Sequence, residues 1–133
     1  MDANASAHAA ALWVGLHLIL LLVLSVLVVR QRRTHGVVLG DAQIPQLTQA
    51  VRAFGNATEY VPAGLAAIAV LAMADASPMV VHLTGLVLLT GRVSHAIGLS
   101  RTGGSSVLRS AGIVLTWLAY ILGGVALIFY AIP

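Results

Sequence analysis

Three polar residues in an otherwise apolar run, Arg52, Asn56 and Glu59 of RAFGNATEYVP, could do chemistry together. Their i, i+4, i+7 spacing puts them within roughly 60° of one another on one helical face. The stretch that follows, Val61 to Ala74, carries no charge. An ionised Arg or Glu is costly in hydrocarbon, so this stripe is expected to face a polar site between helices. The residue types suit a zwitterion. Glu59 takes an ammonium, Arg52 a carboxylate, and Asn56 offers both donor and acceptor. Tyr60 adds a hydroxyl beside the stripe or acts as an interfacial aromatic anchor. The structural alternative is that Arg52 and Glu59 neutralise each other, or their neighbours, across a helix interface.

A second polar pair lies further along. Arg92 and His95 are i, i+3, with Leu99 on the same face. At 1.5 Å per residue Arg92 sits about 20 Å into its span, where it either snorkels to the surface or joins a site. His95 beside it is a candidate for a hydrogen bond to ligand. Arg109 and Ser110 open the last apolar segment. Free N–H groups, the positive end of the helix dipole and a guanidinium together suit an anion such as a thiolate; a simple boundary arginine is the alternative. Arg30, Arg32 and Arg33 read first as a topology signal reaching to lipid head groups, with Arg33 carried as a further contact to a ligand carboxylate. His8, His17, His35 and His82 lack metal-ligand spacing, and no metal site is expected. No phosphate-binding glycine loop, HExxH or G-x-S-x-G is present. There is no cysteine either, so thiol chemistry requires a thiol from a substrate.

The elements that must position these residues follow from composition. Of 133 residues 59% are apolar and only 8% charged, against about 25% charged in soluble domains. The mean hydropathy is +0.98. The fold class expected is an all-α integral membrane four-helix bundle of one domain, 1–133, with spans at about 9–29, 45–74, 78–99 and 107–132. The first apolar stretch lacks a basic n-region and is too long for a signal peptide, so it counts as a span. RQRR ends it. Pro78 suits the first turn of the third helix after a tight turn at Asp75–Ser77. SRTGGSS links the third and fourth segments, and Gly123-Gly124 is expected to allow close helix contact.

All seven basic residues are arginines, and four spans place them near one membrane side, with Asp41 and Glu59 as the acids there. The positive-inside rule puts that side in the cytoplasm and both termini outside. The field there attracts an anionic ligand or anionic lipids.

The run from Arg52 through Asn56, Glu59 and Tyr60 to Pro62 resembles the signature of the MAPEG family, membrane-associated proteins in eicosanoid and glutathione metabolism. RRTHGVVLGD and GRVSHAIG are similar to bacterial members, so the resemblance spans essentially the whole chain. It implies a four-helix protomer in a homotrimer of the bacterial inner membrane, with glutathione as cosubstrate between protomers at the cytoplasmic side. Arg52, Asn56, Glu59 and Tyr60 would hold the tripeptide together with Arg92 and His95, and Arg109 would stabilise the thiolate that attacks a hydrophobic electrophile. Leu99 stands where family enzymes often carry a tyrosine. The partners implied are a second and third copy of the chain, membrane lipids and a hydrophobic small molecule, with no nucleic acid. Two rivals remain at this level. One is a non-enzymatic membrane protein binding lipid or a small anionic ligand. The other is a small four-span transporter, disfavoured because the first span contains no acid.

Overall fold

The structure, a computed structural model, describes residues 3–132. It consists of α1 (Ala3–His35), α2 (Pro45–Met73), α3 (Pro78–Arg101) and α4 (Val107–Ala131). All four are long and apolar enough to cross a membrane. In a bilayer every backbone polar group must be satisfied internally, and a helix does this within one segment.

α1 extends well past the expected 9–29 at both ends. Arginine ends a hydrocarbon match without breaking a helix, because it is itself a good helix former. The helix stops where the backbone turns left-handed at Gly36, with φ of 65°. There the Val37 N–H donates to the Arg32 carbonyl at 3.0 Å, closing the last turn. α2 and α3 each begin with a proline, which lacks only an N–H that would have no helical partner. α4 starts after Ser106, whose Oγ accepts from the Arg109 N–H at 3.2 Å and so fixes Arg109 in the first turn.

The chain runs up and down. α2 and α3 form the middle of the protomer: α1 packs on both, α4 packs on both, and α1 and α4 do not touch among the described residues. Two hydrogen bonds close the end away from the arginines. Ser6 Oγ donates to the Ala76 carbonyl at 2.6 Å, and the Ser77 N–H donates to Tyr130 Oη at 3.0 Å. These bonds pin the start of α1 and the end of α4 to the α2–α3 turn. Trp13, Ile68, Leu71 and Leu88 pack in the apolar core of that half. Leu24, Ala53, Val61 and Leu99 pack the other half. Leu18, Ile19 and Leu22 of α1 and Ile121, Val125 and Ile128 of α4 are exposed, as suits helix faces surrounded by lipid or neighbouring helices.

Candidate functional site

At the arginine-rich end α3 and α4 approach until their backbones touch. A side-chain carbon added at Gly112 would sit 2.7 Å from the Gly91 carbonyl oxygen and from His95 Cα. One added at Gly98 would sit 2.9 Å from Ser106 Oγ. Only hydrogen fits at these places, and that is what lets an α3 side chain reach α4's main chain. His95 does so, its Nδ1 lying 2.8 Å from the Arg109 carbonyl oxygen. The expected close contact at Gly123-Gly124 is only half realised. Gly123 is buried against Thr84, whereas Gly124 faces open space.

Arg92 is 1% exposed and does not snorkel. Its Nε donates to Thr116 Oγ1 at 2.8 Å and its Nη1 to Asn56 Oδ1 at 2.9 Å. The guanidinium carbon lies 4.9 Å from the centroid of the Tyr60 ring, a cation–π contact. Thr116 passes its own hydroxyl hydrogen to the Gly112 carbonyl at 2.8 Å. Tyr120 Oη donates to the Tyr60 carbonyl at 2.6 Å, and the two rings lie 6.2 Å apart. A buried cation thus ties α2, α3 and α4 together through neutral partners, while its Nη2 finds no partner among the described residues. Charged hydrogen bonds of this kind contribute about 1.5–3 kcal/mol each.

In front of this network lies a cavity of about 340 Å³. α2 contributes Arg52, Asn56 and Glu59, with Val51 and Gly55 between them; α3 contributes His95 and Leu99; α4 contributes Arg109. Asn56 and Arg109 are half-buried and His95 is buried, whereas Arg52 and Glu59 stand exposed on the outer face of the protomer. Among the described residues Arg52 and Glu59 form no ion pair with each other. Arg109 Nη1 reaches back to the Gly104 carbonyl at 3.4 Å, over the link that precedes α4.

The predicted site residues therefore separate into two groups. Arg52, Asn56, Glu59, His95 and Arg109 meet at the cavity, together with Leu99. Tyr60 and Arg92 are not in its lining; Arg92 holds Asn56 from behind, and Tyr60 packs against the Arg92 guanidinium. Arg33 is exposed near the end of α1 and is likewise outside the lining in a single protomer. Thr116 and Tyr120 were not singled out from the sequence, because a hydroxyl in an apolar helix carries no signal of its own. Gly91 and Gly98 did leave a trace, since seven residues apart they mark one face of α3.

The chain is similar in sequence to known membrane proteins over most of its length. The MAPEG family matches residues 10–129 of this chain. The chain is 35% identical over 120 residues to "Inner membrane protein YecN" of Escherichia coli strain K12, covering 90% of each chain. It is equally similar to the protein of that name from Escherichia coli O6:H1 strain CFT073. A four-helix membrane fold, a polar stripe on the second helix and a family match over nine-tenths of the sequence lead to one assignment: the chain belongs to the MAPEG family.

Proposed function

We propose that this protein is a glutathione-dependent transferase or peroxidase of the bacterial inner membrane, working as a homotrimer on hydrophobic electrophiles. The observation that carries this reading is the convergence of Arg52, Asn56, Glu59, His95 and Arg109 on one cavity. Glutathione has two carboxylates, one ammonium and one thiol. The cavity answers with two guanidiniums, one carboxylate, an amide and an imidazole, and the chain has no thiol of its own. Glu59 takes the ammonium, Arg52 a carboxylate, and Asn56 a carboxylate or carbonyl oxygen. Arg109, in the first turn of α4, stabilises the thiolate with its own charge and the dipole end of the helix. The thiolate then attacks an electrophile that has partitioned from the bilayer.

The cost of exposed charge supports assembly with neighbouring copies. Arg52 and Glu59 are exposed on one protomer's α2. Facing lipid, an ionised side chain costs about 2.5–3.5 kcal/mol at a helix centre and less toward its ends. A neighbouring protomer and a bound zwitterion remove that penalty, and the neighbour's Arg33 completes the set of cations. The relatives named as inner membrane proteins support the location. The clustering of all seven arginines toward one end supports a cytoplasmic site.

The test is purified protein with glutathione and either a chlorinated nitroaromatic or a lipid hydroperoxide. A rise in melting temperature with glutathione, together with turnover, is expected; folded protein showing neither contradicts the proposal. Leu99 at the cavity wall favours a second reading, binding without catalysis, because it places an alkyl group where a hydroxyl would assist. That reading predicts the thermal shift without turnover.

A further inference from the structure

We infer that His95 is the base that takes the thiol proton, through Nε2, in the reaction proposed above, on which this inference rests. The argument begins at the other ring nitrogen. Nδ1 lies 2.8 Å from the Arg109 carbonyl oxygen. A carbonyl only accepts, so Nδ1 carries the hydrogen, and in the neutral ring Nε2 carries the lone pair.

Nε2 is also the nitrogen that the cavity reaches. The buried side-chain nitrogens and oxygens without partners, among the described residues, are His17 Nε2 and Arg92 Nη2. His95 Nε2 makes no hydrogen bond either, yet it is not sealed off. His95 is 7% exposed and lines the cavity.

The remaining polar groups of the cavity are poor rivals for the proton. Arg52 and Arg109 have donors only. Asn56 Oδ1 already accepts from Arg92, so the free edge of its amide presents the Nδ2 hydrogens. Leu99, one turn along from His95, has no hydroxyl. Glu59 is the other acceptor, but it is occupied by the ammonium in the proposed pose, and a carboxylate is a weak base toward a thiol. The neutral imidazole offers a free lone pair on Nε2. The charged groups facing His95 are Arg92 on its own helix, Arg52 and Glu59 of α2 and Arg109 of α4, while α1 brings the apolar Leu20, Leu21 and Leu24 to this level.

One residue thus does two things. The Arg109 carbonyl orients the base, and its guanidinium holds the anion that the base creates. In the step, the thiol S–H bond breaks and an N–H bond forms at Nε2. The new imidazolium strengthens its Nδ1–H bond to Arg109, and the thiolate lies between two cations. Conjugation then forms the C–S bond, the leaving group departs with its bonding pair, and the imidazolium returns the proton to solvent.

The test counts protons. Purified full-length protein in nanodiscs is saturated with glutathione in weak buffer near neutral pH. The thiolate absorption band and the protons released are recorded together, with S-methylglutathione as the thiol-free control. His95→Asn retains an amide N–H for the Arg109 carbonyl and so keeps the brace between helices while losing the base. The wild type is expected to form thiolate with almost no proton released. His95→Asn is expected to show a weakened band, release of one proton for each thiolate that does form, and a conjugation rate lower by about a hundredfold. One proton released per thiolate in the wild type overturns the role of His95 and leaves the glutathione reading standing; so does an undiminished rate in His95→Asn. Folded wild type that neither binds glutathione nor forms thiolate overturns both. Should His95→Asn not fold, the wild-type proton count decides alone.

Discussion

The α3–α4 pair is built differently at its two ends. At the arginine-rich end Gly91, Gly98 and Gly112 bring the backbones into contact beside the polar cavity of about 340 Å³. At the opposite end the pair opens into an apolar groove of about 480 Å³, lined by Val80, Leu83, Ile121, Val125 and Phe129 among others. Backbone contact fixes a carbonyl to within bonding reach of a side chain, which functional chemistry needs. Bulky aliphatic side chains line the groove and leave a surface whose polar ties are few. The same two helices thus serve geometry at one end and bilayer solubility at the other.

The largest effect should come from undoing the close approach. Gly112→Val places carbon atoms against the His95 backbone and the Gly91 carbonyl, neither of which is a flexible side chain. Separation of the helices is expected to cost about 3 kcal/mol in reversible SDS unfolding, with loss of the His95–Arg109 bond and of turnover. Gly124→Ala, into open space, should stay within about 0.5 kcal/mol of wild type. Equal effects at the two positions would erase the contrast between the ends.

A smaller loss is expected from Thr116→Val. It removes the acceptor for Arg92 Nε, leaves the buried guanidinium with less compensation, and should cost about 2 kcal/mol. Because Arg92 orients Asn56, glutathione affinity should fall as well. An affinity that does not change would mean that Asn56 holds its place without this network. At the other end Tyr130→Phe removes the partner of the Ser77 N–H. About 1 kcal/mol is expected there, with no change in glutathione binding.

The smallest effect concerns the loop entering α2. The Gln43 N–H and the Thr48 hydroxyl bind the Asp41 carboxylate, at 3.1 and 2.8 Å, and hold its carboxyl below the usual carboxylate range. A lowered folded pKa stabilises the loop fully above the unfolded value, and this is lost as pH falls through the folded value. Limited proteolysis between Gly36 and Gly40 should therefore accelerate only in acid, below about pH 4. Asp41→Asn should abolish the pH dependence, and cleavage that is insensitive to acid in the wild type would rule out the tether.

The helices were readable because long apolar runs bounded by arginine, glycine and proline leave few alternatives. α1 outran its apolar stretch because the hydrogen-bond ladder does not end where hydropathy does. The α2 stripe was readable from spacing alone, since three polar residues on one face of a membrane helix need a common polar surrounding. The place of Arg92 was not readable. An arginine near a span end reads equally as a snorkelling residue, and its burial depends on Asn56, Tyr60 and Thr116, which arrive from two other helices. Tyr60 was expected beside the ligand and stands under that guanidinium for the same reason. His95 was readable as a candidate contact, but its tautomer depends on a carbonyl that only the glycine contacts bring near.

The most direct test of the central claim, that the α2 stripe with Arg109 and His95 is a glutathione site, is Glu59→Gln. Its oligomeric mass and its glutathione affinity are to be measured on the same preparation. The proposed assembly is expected to stay intact, with an affinity lower by roughly 10- to 100-fold, the worth of one charged hydrogen bond. Loss of assembly with unchanged affinity in the remaining folded protein would contradict it and make Glu59 a structural residue.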